Sequence, residues 1–208
     1  MDLDYMLMGL MLGISAGLSP GPLLFLMISE TVKGGKIKGI KVSLAPLFTD
    51  IPLIFAVIYI LKHLRDISFL LGIISLAGSL LLFYYGYRDL KIKQINLQMG
   101  DIKTGSFKKG LVTNLLNPHP YIFWFFVGVP LLIKVNTLER IIFISSFLFA
   151  IVGSKICLTF IIDRSKKFVE SKHYIRIIKF LGLILIFLGV ILLKYAAEYL
   201  FGKKIIPL

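Results

Sequence analysis

The chain of 208 residues has one cysteine, Cys157, which excludes an internal disulfide and leaves no thiolate pair to hold a metal. Acidic residues are scarce: 11 Asp and Glu stand against 24 Lys and Arg, for a formal net charge of +13. That balance would suit nucleic acid, but the basic residues fall in short connections between long apolar runs. There they read as topology determinants and contacts to anionic lipid headgroups, so no nucleic-acid partner is expected. A phosphate-binding loop is also missing. The GGKIKG at residues 34–39 lacks both the Gly-Lys-Ser/Thr ending and a preceding strand, which argues against ATP-driven pumping.

Apolar residues are what the chain has in excess. It is 57% hydrophobic and only 17% charged, with a mean hydropathy of +0.88. Charges crowded between such runs are the membrane pattern. The chain begins Met-Asp-Leu-Asp, acidic where a cleaved signal would be basic, so its first apolar run is expected to be a retained span.

Six runs are long enough to cross about 30 Å of hydrocarbon. They fall near residues 5–28, 42–61, 67–85, 111–133, 141–162 and 175–197. Connections one, three and five, with their flanks, carry 16 basic residues, from Lys33 in the first to Lys179 in the fifth. The other side carries 7, and Lys155 lies inside a span. The positive-inside rule then places the odd connections in the cytoplasm and both termini outside.

The longest connection separates two sets of three spans, which must enter the membrane in opposite directions. Its stretch from Asp89 to Met99 is expected to lie as a short interfacial helix. Each half opens with a matching interruption: Leu18-Ser19-Pro20-Gly21-Pro22 in one, Leu116-Asn117-Pro118-His119-Pro120 in the other. The expected fold is thus all-α: a polytopic membrane protein of six transmembrane helices in two inverted three-helix halves, with helices 1 and 4 broken. It forms a single membrane domain over 1–208, divided into 1–86, a cytoplasmic loop at 87–110, and 111–208. Paired broken helices in inverted halves point to a transporter binding site.

The chemistry-bearing residues share a depth. Counted inward from the cytoplasmic ends, Pro20 and Asp50 lie roughly 12 Å deep, and Asn117, Pro118 and Lys155 roughly 10 Å. A single proline would read as a kinked helix. Two prolines around Gly21, echoed in the second half, read as a break that exposes the N–H groups of a half-helix to a substrate carboxylate. Asp50 is either a structural partner of Lys155 or the counter-charge to a substrate ammonium and a proton carrier. The two roles are compatible if substrate or proton opens the pair. Asn114 and Asn117 would satisfy freed backbone or bind substrate, and Ser19 belongs to the same polar wall. His119 reads first as an ordinary polar residue in a helix break and second as a proton shuttle. The run Phe123-Trp124-Phe125-Phe126 reads as lipid-facing or packing surface, and Cys157 as a small packing residue. No metal site and no cofactor are expected, since Asp50 and His119 lack a third ligand from another span.

At these residues the sequence resembles the LysE/RhtB family of amino-acid exporters. That family's first half carries Pro-Gly-Pro in span 1, a glycine-rich basic loop and a span-2 aspartate. Here these are Pro20-Gly21-Pro22, Gly34-Gly35 with Gly39, and Asp50. Its Asn-Leu-Leu-Asn-Pro-Lys run opening span 4 appears here as Asn114-Leu115-Leu116-Asn117-Pro118-His119. Leu23 replaces the asparagine usual after Pro-Gly-Pro, His119 replaces a lysine, and Ala45 and Thr49 replace glycines. These departures fall at the site, so the resemblance leaves the substrate open.

The resemblance implies a secondary transporter and not an enzyme, working in the cytoplasmic (inner) membrane of a prokaryote. It would export a small amino acid or related metabolite by proton antiport, with membrane lipids around it and a homodimer as its assembly. One alternative is a metal-cation exporter of the same superfamily, which would want acidic or histidine-rich clusters. Another is a membrane-embedded lipid enzyme, which would want an acid–base pair at one interface, for which Asp50 with His119 is the candidate.

Overall fold

A computed structural model describes residues 2–62, 68–93, 105–133, 135–165, 168 and 171–201. Among them every regular element is a helix. The first run divides into α1 (Asp2–Leu18) and α2 (Pro22–Gly34), followed by α3 (Lys36–Ser43) and α4 (Ala45–Lys62). Next come α5 (Ser68–Lys91), α6 (Ser106–Leu116) and α7 (Pro118–Phe123). From α7 the chain passes through a π-helical turn at Trp124–Gly128 into α8 (Val129–Leu132), and α9 (Thr137–Arg164) and α10 (Lys172–Phe201) complete it.

Four stretches are uninterrupted and apolar enough to cross a membrane: Lys36–Tyr59, Phe69–Lys91, Thr137–Arg164 and Lys172–Phe201. Two further stretches qualify as bent pairs. Leu3–Leu18 meets Pro22–Gly34 at 61°, and Ser106–Leu116 meets Pro118–Leu132 at 51°. The protein is therefore a polytopic, all-helical membrane protein with up to six spans, bent at both interruptions of the sequence. Its outer surface carries large apolar side chains such as Phe55 and Phe149, exposed by 69% and 76%.

Two boundaries differ from expectation. The first connection shrinks to Gly35, whose positive φ of 79° ends α2 and starts α3. Lys36, Lys38 and Lys41 lie on the exposed side of α3, so the second span begins six residues before the apolar run does. Lysines at a helix end extend into water without interrupting the helix. At the third connection, Asp89 to Lys91 continue α5, while residues 94–104 lie outside the described residues.

Lipid supplies little drive for helices to associate, so close backbone approach at small residues does more of the holding. α1 and α9 meet this way. Gly9, Gly13 and Gly17 face Ser146, Ala150 and Ser154 in turn, and both series ascend, so the two helices run parallel. A Cβ on Gly13 would meet Ala150 Cβ at 2.8 Å. α5 and α10 run antiparallel: Gly72 packs on Leu200, Gly78 on Leu192 and Gly86 on the carbonyl of Gly182. α6 ascends beside α3 and α4, with Gly110 against Val42 and Asn114 against Thr49. These directions are those of a chain that crosses back and forth.

The basic end of the bundle is closed by polar contacts. Glu30 of α2 accepts from Lys109 Nζ at 2.6 Å and from Ser106 Oγ at 2.5 Å, both on α6. The N–H of Lys36 donates to Asp163 Oδ1 at the end of α9 at 3.0 Å. At the opposite end, Asn136 and Glu139 form a capping box that starts α9.

Candidate functional site

The first break arises because Pro20 and Pro22 bring no N–H, and Pro22 takes the first position of α2, where none is needed. The last turn of α1 is left with carbonyls that have no partner within the helix. Two side chains from distant spans take them up. Lys155 Nζ donates to Gly17 O at 2.6 Å and to Ala16 O at 3.5 Å, and Tyr174 OH donates to Leu18 O at 2.9 Å. The ammonium thus sits at the negative end of the α1 dipole, where a cation is favoured. Across the gap, Gly21 is extended and gives α2 no side-chain cap, so the first N–H groups of α2 stay available beside Leu23 and Leu24.

The second break is capped differently. Asn117 adopts an extended backbone, and its side-chain oxygen accepts from the N–H of His119 at 3.1 Å. Pro118 holds the first position of α7. The imidazole of His119 stacks on Tyr85 with ring centroids 4.4 Å apart.

Asp50, 3% exposed, lies between the breaks. Asn114 Nδ2 donates to its Oδ1 at 3.0 Å and to Thr49 Oγ1 at 2.6 Å. Thr49 Oγ1 is itself 3.1 Å from Asp50 Oδ1, and Trp124 Nε1 reaches Asp50 Oδ2 at 3.4 Å. A buried carboxylate is thus held by neutral donors from its own helix, from α6 and from the π-helical turn.

A cavity of about 70 Å³ joins these parts, with room for a few waters or a small polar group. Ser19, Pro20, Gly21, Pro22, Asp50, Asn114, Asn117, His119 and Lys155 all line it, beside Leu23, Leu24 and Phe123. Pro118 does not line it and acts only through the shape of the break. Among the described residues, no group of three or more His, Cys, Asp or Glu lies close enough to hold a metal ion.

The structure decides one open alternative, the Asp50–Lys155 pair, and revises the readings of Trp124 and Cys157. Asp50 and Lys155 line one cavity but form no direct ion pair, because the freed carbonyls of α1 take the ammonium. Phe123 and Trp124 are buried and pack as one of the two readings expects, Trp124 against Phe147 at 4.9 Å between ring centroids, but Trp124 also bonds to Asp50 and so belongs to the site. Cys157 is exposed on the outer side of α9 and does not pack inside.

Sequence reasoning also passed over Tyr85, Tyr174 and Asp89. Asp89 is 1% exposed, accepts from Ser19 Oγ at 3.1 Å and pairs with Arg88 at 3.3 Å. In the sequence it stands beside basic residues at the end of an apolar run and looks like an ordinary loop charge.

Apolar helices, two of the spans bent, enclosing a polar cavity with a buried carboxylate and a buried lysine, define a polytopic membrane protein with an interior polar site. The chain belongs to the LysE type translocator family, whose model matches residues 14–196. No curated protein and no solved structure matches it.

Proposed function

We propose that the protein exports a small amino acid or a related metabolite in exchange for protons, with Asp50 as the coupling residue. The observation that carries this reading is the buried Asp50 carboxylate, held by neutral donors in a cavity between two helix breaks. An intramembrane carboxylate with no direct cation partner is suited to exchange a proton for a substrate ammonium. The open N–H groups at the start of α2 would receive the substrate carboxylate, the usual ligand of a helix N-terminus. Ser19, Asn114, Asn117 and His119 would complete the polar wall. Lys155 would hold α1 at the break and keep a positive charge near Asp50.

In this reading the basic end of the bundle faces the cytoplasm and both termini lie outside. The halves 1–86 and 111–208 are inverted and rock against each other about the cavity. The host is the inner membrane of a prokaryote, and the working unit is a homodimer.

The test is efflux from preloaded proteoliposomes under an imposed pH gradient, with a panel of labelled amino acids. Wild type is expected to show gradient-driven efflux of at least one of them. Asp50→Asn should lose at least about 90% of that efflux while keeping exchange without a gradient, as expected when a coupling group goes but the binding site stays. Equal gradient dependence in the variant would remove Asp50 from coupling. Flux of divalent metals in place of amino acids would overturn the substrate class.

A further inference from the structure

We propose that Arg88 forms a loading subsite for a carboxylate-bearing solute at the basic end of the bundle, separated from the central cavity by the Tyr85–His119 stack. The inference rests on the transport reading above, since it supplies a way in to that site.

Three spaces in the structure share walls. An open basin of about 660 Å³ is lined by Arg88, Lys91 and Lys93, with Tyr84 and Tyr87 beside them and Pro20 at its inner edge. Pro20 also lines the central cavity. A constriction of about 20 Å³ adjoins both, walled by Arg88, Tyr85, His119 and Ser19 and, on its apolar side, by Leu12, Leu82 and Leu185. Ser19 and His119 belong to the central cavity as well. Shared walls thus connect a three-cation basin, a mostly apolar space beside the two stacked rings, and the cavity that holds Asp50 and the start of α2.

Arg88 is built to receive an anion. Its side chain is 40% exposed, and the guanidinium offers five N–H donors in a planar fork. One of them meets Asp89 Oδ1 at 3.3 Å. Its body lies over Tyr85, 5.1 Å from the ring centroid, so the arginine touches the Tyr85–His119 stack. The other carboxylate oxygen of Asp89 accepts from Ser19 at the break. A carboxylate bound at Arg88 would compete with Asp89 for the guanidinium and, through it, loosen both Tyr85 and the Ser19 contact. Cations without a carboxylate would be repelled by the basin. The subsite therefore selects anions and zwitterions and links their arrival to opening of the constriction.

The charge of the route can be measured without transport. Cys157→Ser removes the native thiol, and Ser19→Cys places one where constriction and cavity meet. In nanodiscs of neutral phosphatidylcholine, the full chain is reacted with methanethiosulfonates of equal size and opposite charge. The anionic reagent is expected to react faster. Its advantage over the cationic one should fall about fivefold in Arg88→Gln, as expected for one charge removed at short range, and should persist in Arg88→Lys. Tyr85→Ala should speed both reagents together. A ratio indifferent to Arg88→Gln would overturn the subsite. An unreactive thiol even in Tyr85→Ala would overturn the route, and rates unchanged by Tyr85→Ala would overturn the constriction. None of these results depends on which substrate moves, so a failed efflux experiment and a failed labelling experiment are separate outcomes.

Discussion

Asp50 and Lys155 show how a membrane interior assigns work to two charges of opposite sign. Backbone carbonyls freed inside a membrane span need donors from elsewhere in the protein or from water in a cavity. Lys155 is one donor and Tyr174 the other. Asp50 is thereby left to Asn114, Thr49 and Trp124. Lys155→Met should leave the carbonyl of Gly17 buried without a partner and lower stability by about 1–3 kcal/mol. Lys155→Arg, which keeps donors and charge, should lose less. Thermal unfolding in detergent, followed by loss of helical signal, measures both. Equal melting of Lys155→Met and wild type would mean that the α1 carbonyls are satisfied by water.

At the scale of helices, the parallel contact of α1 with α9 depends on absent side chains. Gly13→Ala would press a Cβ against Phe147 O at 2.5 Å and Ala150 Cβ at 2.8 Å, at a cost of about 1–3 kcal/mol from overpacking. Gly153 lies on α9 with nothing within 4 Å of its added Cβ. Gly153→Ala should therefore be neutral or raise stability by up to about 1 kcal/mol, the difference in helix propensity. The two glycine variants serve as each other's control in one melting experiment. Equal behaviour would place the α1–α9 contact elsewhere. The bends at residues 19–21 and at Asn117 are equally local in origin, since proline removes the N–H groups that would have continued each helix.

Across the whole molecule, the Glu30–Lys109 pair joins the last turns of α2 to the first turn of α6, and so ties the two bent spans together at the basic end. Its side chains are only 8% and 12% exposed, which makes a lone survivor costly. Lys109→Met should destabilise by about 3–5 kcal/mol. In a double-mutant cycle with Glu30→Gln, the coupling should exceed about 1 kcal/mol, since the partners touch. Additive losses would show that each residue acts alone. If the halves rock as proposed, weakening this pair should also raise the rate of substrate exchange relative to gradient-driven efflux.

The residues themselves determined the helical class, the number of apolar runs, the two interruptions and the candidates for the site. Each follows from properties of a local stretch: 20 or so apolar residues demand a membrane, and two prolines within three residues forbid a continuous helix. The family's pattern was legible for the same reason, because Pro20-Gly21-Pro22 and Asn114 to Pro118 are contiguous words in the chain. Only the tertiary structure decided who partners whom. Whether Lys155 meets Asp50 or the end of α1 depends on the competition of freed carbonyls contributed by a helix 138 residues away in sequence. Trp124, Asp89 and Tyr85 join the site because helices packed through glycine contacts bring them there, and a lone tryptophan, aspartate or tyrosine carries no local sign of its distant neighbour.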